Sequence, residues 1–225
     1  MTAPASSSTS ELVTLSNPRS AAAEAYRTLR TNIRFSSLER PAKTILFTSP
    51  RQQEGKSTTL ANLAVIAAQA GSRVVVVDCD LRRPSLHEIF AVPNTTGFTD
   101  ALLHEAPATI SCQDGPIAGL RVLTSGPLPP NPAELLSLDR VDKVLEILSQ
   151  DADLVLLDSP PAGGVADASI LAPRVDGVVL VVDATRTRRE PALRAKEQLE
   201  RVSARILGVV INRAHLDNAN FNYYR

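Results

Sequence analysis

Short, unbroken apolar runs alternate along this chain with longer stretches in which apolar residues return every three or four positions. The unbroken runs lie at 44–49, 73–78, 120–124, 153–158, 177–182 and 206–211, with cores such as VVVV, LVLL, VVLVV and ILGVVI. They lack the apolar-polar alternation of a strand with one wet face, so they predict strands covered on both sides, as in a parallel sheet. Helices are expected between them at about 56–70, 84–90, 97–103, 132–149, 165–172 and 188–202. A further helix precedes the first strand at Ser20–Phe35, where Tyr26, Leu29 and Ile33 share one face. Strand and helix in regular succession predict an α/β fold: a doubly wound, mainly parallel sheet with helices on both faces.

Punctuation agrees with this reading. In GPLPPNPAELL (126–136) a proline-stiffened loop enters a helix, with Asn131 as the expected cap and Pro132 in the first turn. Residues 1–18 are rich in Ser, Thr, Ala and Pro without periodicity and are expected to form a flexible arm. The polar, aromatic end NANFNYYR has no place in the sheet, so residues 215–225 are expected to be a flexible tail beyond a domain at 19–214.

Length and charge narrow the function. A chain of 225 residues can bury one large α/β core. Lys plus Arg and Asp plus Glu both number 24, leaving no net charge to draw the chain onto nucleic acid or an acidic membrane. No run approaches the roughly 18 apolar residues of a spanning helix, and MTAPASSSTSELVTLSNP lacks the charged-then-apolar order of a secretory signal. The expectation is a cytoplasmic protein. Cys79 and Cys112 have no metal-type spacing and read as free thiols in a reducing compartment; His87, His104 and His215 are scattered without a ligand pattern.

Chemistry concentrates where three of the strands end. TILFTSPRQQEGKSTT (44–59) passes from strand through tight loop to helix, which turns backbone N–H groups and the helix dipole toward a phosphate. In that setting Lys56 supplies a mobile cation and Ser57 a hydroxyl for Mg²⁺. VVVVDCDLRRP (74–84) and LVLLDSPP (154–161) bring Asp78, Asp80 and Asp158 to the carboxyl ends of strands, where open α/β sheets hold ligands. The strict phosphate-loop pattern opens with Gly, and here that position is Pro50. Gly-Lys-Ser-Thr alone could be an ordinary helix start, and a lone Asp-x-Asp an ordinary strand end. Their shared context in one chain favours a nucleoside-triphosphate site.

Together EAYRTLRTNI, EGKSTTLANLA, DCDLRRP, GPLPPNPAELL and LLDSPP resemble the cytoplasmic bacterial tyrosine kinases of capsule and exopolysaccharide synthesis, over residues 16 to 225. These are phosphate-loop ATPases unrelated to eukaryotic kinases. The resemblance implies Walker A, A′ and B motifs at the three strand ends and ATP with Mg²⁺ as cofactors. Nucleotide contacts would come from Gln53, Glu54, Gly55, Lys56, Ser57, Thr58, Asn212 and Arg213. Lys56, Asp78, Asp80 and Asp158 would be catalytic, with Asp80 the base that activates a tyrosine hydroxyl, and Ser57, Asp78 and Asp158 would hold the metal. Glu24, Arg27 and Arg30 match a Glu-x-x-Arg-x-x-Arg contact that closes subunit rings, and Tyr223 and Tyr224 would accept phosphate from a neighbouring subunit. Tyrosine-containing substrates and a separate membrane adaptor of the polysaccharide co-polymerase type complete the expected partners. Such an adaptor would recruit the chain to the inner face of the membrane.

Two features depart from the family pattern. Relatives usually carry small residues where this chain has Gln52 and Gln53, and their tails usually hold more tyrosines. Two other functions share the motifs: a nucleotide-switched ATPase of the septum-positioning or partition type, and a non-catalytic ATP-binding regulator of polysaccharide assembly. The first carries a lysine where this chain has Arg51, and its membrane-bound forms need a basic amphipathic end that NANFNYYR is not. Outside the family context, Glu24, Arg27 and Arg30 would read as a solvated helix face worth about 0.2–0.5 kcal/mol per pair.

Overall fold

A computed structural model describes residues 12–36, 40–103 and 110–214. Its centre is one seven-stranded sheet in the order β3-β4-β2-β5-β1-β6-β7. The strands are β1 (Thr44–Thr48), β2 (Val74–Asp78), β3 (Gln113–Asp114), β4 (Leu120–Leu123), β5 (Leu154–Asp158), β6 (Gly177–Asp183) and β7 (Ile206–Asn212). All pair in parallel except β3, a two-residue strand antiparallel to β4 that no apolar run announces. The helices are α1 (Val13–Ser16), α2 (Ala21–Ser36), α3 (Lys56–Gln69), α4 (Leu86–Phe90), α5 (Phe98–Leu103), α6 (Pro132–Leu136), α7 (Arg140–Asp151), α8 (Asp167–Leu171) and α9 (Arg189–Arg201).

In β1, β2, β5 and β6 the unbroken apolar runs arise because successive residues enter different cores; the run ILGVVI of β7 departs from that expectation, since β7 is an edge strand whose Val209 and Ile211 are exposed. Ile45, Phe47, Val74, Val76, Leu156, Val179 and Val181 pack with α3 and α4. Leu46, Val75, Val77, Val155, Leu157, Val178 and Leu180 pack on the opposite face with α5, α7, α8 and α9. From β1 the chain crosses to β2 on one side of the sheet, and from β5 to β6 on the other. That reversal puts the β1–α3 loop at the switch point where such sheets bind ligands.

Three elements differ from expectation. The helix expected at 132–149 is broken at 137–139 into α6 and α7. Arg174 fastens the break: its guanidinium donates to the carbonyls of Ser137 (2.9 Å) and Leu138 (3.0 Å) and to Asp142 Oδ2 (2.7 Å), so those carbonyls need no continuing helix. Residues 13–16, inside the expected arm, form a turn of helix. Leu12 is buried beside it, and Thr14 Oγ1 donates to Asn62 Oδ1 of α3 at 2.9 Å. The helix expected at 165–172 is confined to α8 and ends in a 3₁₀ turn at Ala172–Arg174, where Pro173 has no N–H to continue the ladder.

Candidate active site

The loop that joins β1 to α3 turns on Gly55, at φ +84°, and leads straight into Lys56. A side chain there would also collide with Asn212, whose Nδ2 lies 2.1 Å from where the Cβ would be. No side chain caps the N-terminus of the fourteen-residue α3, which leaves its first N–H groups and its positive dipole end for an anion.

Lys56 reaches from this turn to two carboxylates: Asp158 Oδ1 at 3.2 Å and Asp80 Oδ2 at 3.3 Å. Ser57 Oγ donates to Asp158 Oδ2 at 2.5 Å. Burial alone would lower the Lys56 ammonium, but Asp158 and Asp80 outweigh it and hold the charge on. Asp158 is fully buried, and burial pushes its carboxyl up against the pull of Lys56 and Ser57. Its Oδ1 receives no hydrogen bond.

Asp78 lies directly across the strand pair from Asp158. Burial, then the neighbouring Asp158 charge, push it up to about 7. Its Oδ2 accepts from the N–H groups of Ser85 and Leu86, both at 2.9 Å, so it anchors the start of α4. Asp80 stands at the cavity wall and accepts the Arg83 N–H at 3.0 Å. Burial, and then the carboxylates of Asp78, Asp158 and Asp80, push the Cys79 thiol between them well up, which keeps it protonated and unreactive.

A divalent cation fits this donor set. Mg²⁺ favours oxygen ligands and is commonly held by one or two carboxylates together with substrate phosphates. The Ser57 hydroxyl and Asp158 Oδ1, which accepts no hydrogen bond and is paired with the Lys56 ammonium at 3.2 Å, supply two such donors. Among the described residues no group of three or more His, Cys, Asp or Glu forms a self-sufficient cage.

A cavity of about 1260 Å³ opens over the loop and is lined by Lys56, Ser57, Thr58, Asp80, Gln53 and Arg213 among others. Glu54 and Asn212 do not line it. The Glu54 carboxylate turns the other way, accepting the Asp183 N–H at 2.5 Å and the Thr187 hydroxyl. Asn212 Nδ2 donates to the Glu54 carbonyl at 2.9 Å and pins the loop from beneath. Gln53 adopts φ +63°, a left-handed conformation unusual for its type. Arg213 pairs with Asp183, which lies below its usual range because of hydrogen bonds from Thr185 and that pairing.

Glu24, Arg27 and Arg30 stand apart on α2. Glu24 and Arg27 pair within the exposed helix at 2.9 Å, and Arg30 Nη1 reaches the Ile66 carbonyl of α3 at 3.4 Å. Tyr223 and Tyr224 lie outside the described residues. One contact at the site has only one partner within a motif: Arg82, in DCDLRRP, grips the fully buried Asp167 through two bonds of 2.8 and 2.9 Å and ties the loop after β2 to α8. A buried acid at the start of α8 was the available signal, yet nothing in the run VADAS marks it as buried.

Comparison with known proteins accords with this geometry. The family of CobQ/CobB/MinD/ParA nucleotide binding domains matches residues 45–224. The tyrosine-protein kinase YwqD of Bacillus subtilis is 42% identical over 214 residues, covering 95% of this chain and 90% of that protein. The chain belongs to the bacterial tyrosine-kinase family of phosphate-loop ATPases. Among solved structures, the chimerical protein CapA2B2 superposes with a TM-score of 0.86 at 36% identity, covering 91% of this chain and 90% of that one. The kinase domain of the Escherichia coli tyrosine kinase ETK gives 0.83 at 32% identity, covering 91% and 82%. The family connects the chain to capsule and exopolysaccharide synthesis and makes it a nucleotide-binding enzyme of the phosphate-loop type. No helix among the described residues is long and apolar enough to cross a membrane.

Proposed function

We propose that the chain is an ATP- and Mg²⁺-dependent protein-tyrosine kinase of capsule or exopolysaccharide synthesis, with Tyr223 and Tyr224 of a neighbouring subunit among its acceptors. The observation that carries this reading is Asp80: a carboxylate that lines the cavity though only 5% exposed, 3.3 Å from the loop lysine, with the fully buried Asp158 beside Ser57. One acid faces an incoming hydroxyl while the other faces the metal position. Bound Mg²⁺ would neutralise phosphate charge between Ser57 and Asp158.

Residues of the chain supply the rest. The α3 N-terminus and the backbone around Gly55 orient the phosphates, and Lys56 moves from the carboxylates to the developing charge. Asp80 takes the phenol proton as the tyrosine oxygen bonds to the γ-phosphorus and the bridging bond to ADP breaks. A phenol with pKa near 10 gains nucleophilicity from that neighbour. Asp78 acts from underneath, holding the start of α4 through the N–H groups of Ser85 and Leu86.

The same reading makes the chain a subunit of a homo-oligomeric ring, with Glu24, Arg27 and Arg30 at the contact, and gives it a membrane adaptor of the polysaccharide co-polymerase type. Incubation of purified protein with Mg²⁺-ATP, followed by mass-spectrometric mapping, is expected to find phosphate on Tyr223 or Tyr224. ATP hydrolysis without any phosphotyrosine would instead identify a nucleotide-switched ATPase. Nucleotide binding without turnover would identify a regulator.

A further inference from the structure

The topology divides the cavity into two halves. Loops after β6 and β7 contribute Arg186 and Arg213 on one side of the phosphate loop. Loops after β2 and β5, which are adjacent strands, form the other side with residues 82–91 and 160–165. Arg213 is paired with Asp183. Across the loop, Arg51, Arg82 and Arg83 are exposed around a floor of Pro161, Ile89 and Val165.

Their geometry is built. Arg82 is held by Asp167 through Nε and Nη2, which leaves Nη1 outside that pair. Arg83 is fixed by its backbone bond to Asp80 and by Gln52 Oε1 at 3.0 Å from its Nη1. The loop after β5 presses on the phosphate loop so closely that a Cβ on Gly163 would lie 2.4 Å from the Pro50 carbonyl, so the two walls are set against each other. Among the acids lining the cavity, Asp80 is occupied by Lys56, and Glu88 lies further along α4.

We infer that the β2–β5 half of the cavity is an acceptor groove that selects tyrosines flanked by carboxylate side chains, read by Arg51, Arg82 and Arg83 over an apolar seat for the phenol ring. This rests on the kinase reading above and adds the substrate class to it. Asp80, the proposed base, borders this half, so a ring seated there brings its hydroxyl to the right carboxylate. Guanidinium groups match carboxylates in bidentate geometry and steer anionic partners into a cleft. The chain's own tail, HLDNANFNYYR, has a single acid, Asp217, well before its tyrosines. Tethering within an assembly supplies the effective concentration for that acceptor; an untethered substrate gains it through charge.

The test uses three synthetic tyrosine peptides of equal length, flanked by Asp/Glu, by Asn/Gln or by Lys/Arg, with full-length protein and Mg²⁺-ATP. The wild type is expected to favour the acidic over the neutral peptide in kcat/KM by on the order of tenfold, an advantage that shrinks as salt rises. Arg83→Glu is expected to reverse the order toward the basic peptide while the protein melts as the wild type does. Equal rates on all three peptides, with the tail still phosphorylated, would overturn the inference and leave the kinase reading standing. If no tyrosine is phosphorylated, tail included, the kinase reading fails. Fluorescence anisotropy of the labelled peptides on Mg²⁺-ADP-loaded protein then decides this inference: tighter binding of the acidic peptide, lost in Arg83→Glu, sustains it, and equal binding of the three refutes it.

Discussion

Two buried acids, Asp158 and Asp183, end neighbouring regions of the same sheet and meet opposite fates. Asp183, at the end of β6, receives the Thr185 N–H at 2.9 Å and hydroxyl at 2.7 Å and pairs with Arg213. Its carboxyl is held below the usual range. Asp158, at the end of β5, is pushed up by burial, faces Asp78 across the strand pair and keeps one oxygen without a hydrogen bond. A fully satisfied acid fixes the loop beside it, whereas an undersatisfied one draws in an outside cation. The β6–β7 wall is therefore a latch, and the β2–β5 wall is where chemistry is set up.

The largest effect should come from removing the cation between the carboxylates. Lys56→Met is expected to lower phosphotransfer by on the order of 10²–10³-fold, the loss typical of one transition-state donor, while circular dichroism stays unchanged. Normal autophosphorylation in that variant would exclude this site. Asp80→Asn should follow, with a loss of about 10²-fold in transfer and little change in nucleotide affinity by titration calorimetry, because the amide keeps the shape but cannot take a proton. Equal loss of both would make Asp80 a metal-binding residue.

On the latch side, Glu54→Ala should act on stability first. It strands the buried Asp183 N–H and the Thr187 hydroxyl, a cost of about 1–3 kcal/mol for an unsatisfied group. Denaturant melts check this. A loss of activity at unchanged stability would move Glu54 to the chemical side of the comparison.

How much of this could be read from the residues follows the same division. Lys56, Ser57, Asp80 and Asp158 are legible because short local motifs place them, and the central strands β1, β2, β5 and β6 because burial on both faces writes an unbroken apolar run. The latch is illegible because it is made across the chain: Glu54 meets Asp183 at a separation of 129 residues and Asn212 at 158. The same holds for Arg82 with Asp167, 85 residues away, and for Arg174 at the α6–α7 break. In each case one polar side chain satisfies backbone or charge far away, and no local periodicity records it. Thr14 belongs here too, since its segment has the composition of an arm and is ordered through Asn62.

Asp78 gives the comparison a pH signature. Its carboxyl rises from 3.8 to about 7 on folding, so between those values the folded chain binds more protons than the unfolded one. Stability contributed by this group is then lost as pH rises from about 4 to 7 and is level above that. With a chelator and no nucleotide, melting temperatures across this range should fall less steeply with pH in Asp78→Asn than in the wild type. The amide still accepts from Ser85 and Leu86, so the fold is retained. Parallel slopes would show that Asp78 does not carry the buried charge.

Gln53 sits where the two walls meet, and its substitution should have the smallest effect. At φ +63° a non-glycine residue costs about 1–2 kcal/mol, and glycine would remove that strain. Glycine also adds about 0.5–1 kcal/mol of unfolded-state entropy, which offsets most of the gain. Gln53→Gly should therefore melt within about 1 kcal/mol of the wild type. Its effect should appear in binding, because the side chain leaves the cavity rim while Arg213 still donates to the residue's carbonyl at 3.4 Å. Calorimetry is expected to show tighter ATP binding. Unchanged or weaker affinity, with no rise in turnover, would mean that the loop has adapted to glutamine and that its departure from the family pattern carries no cost.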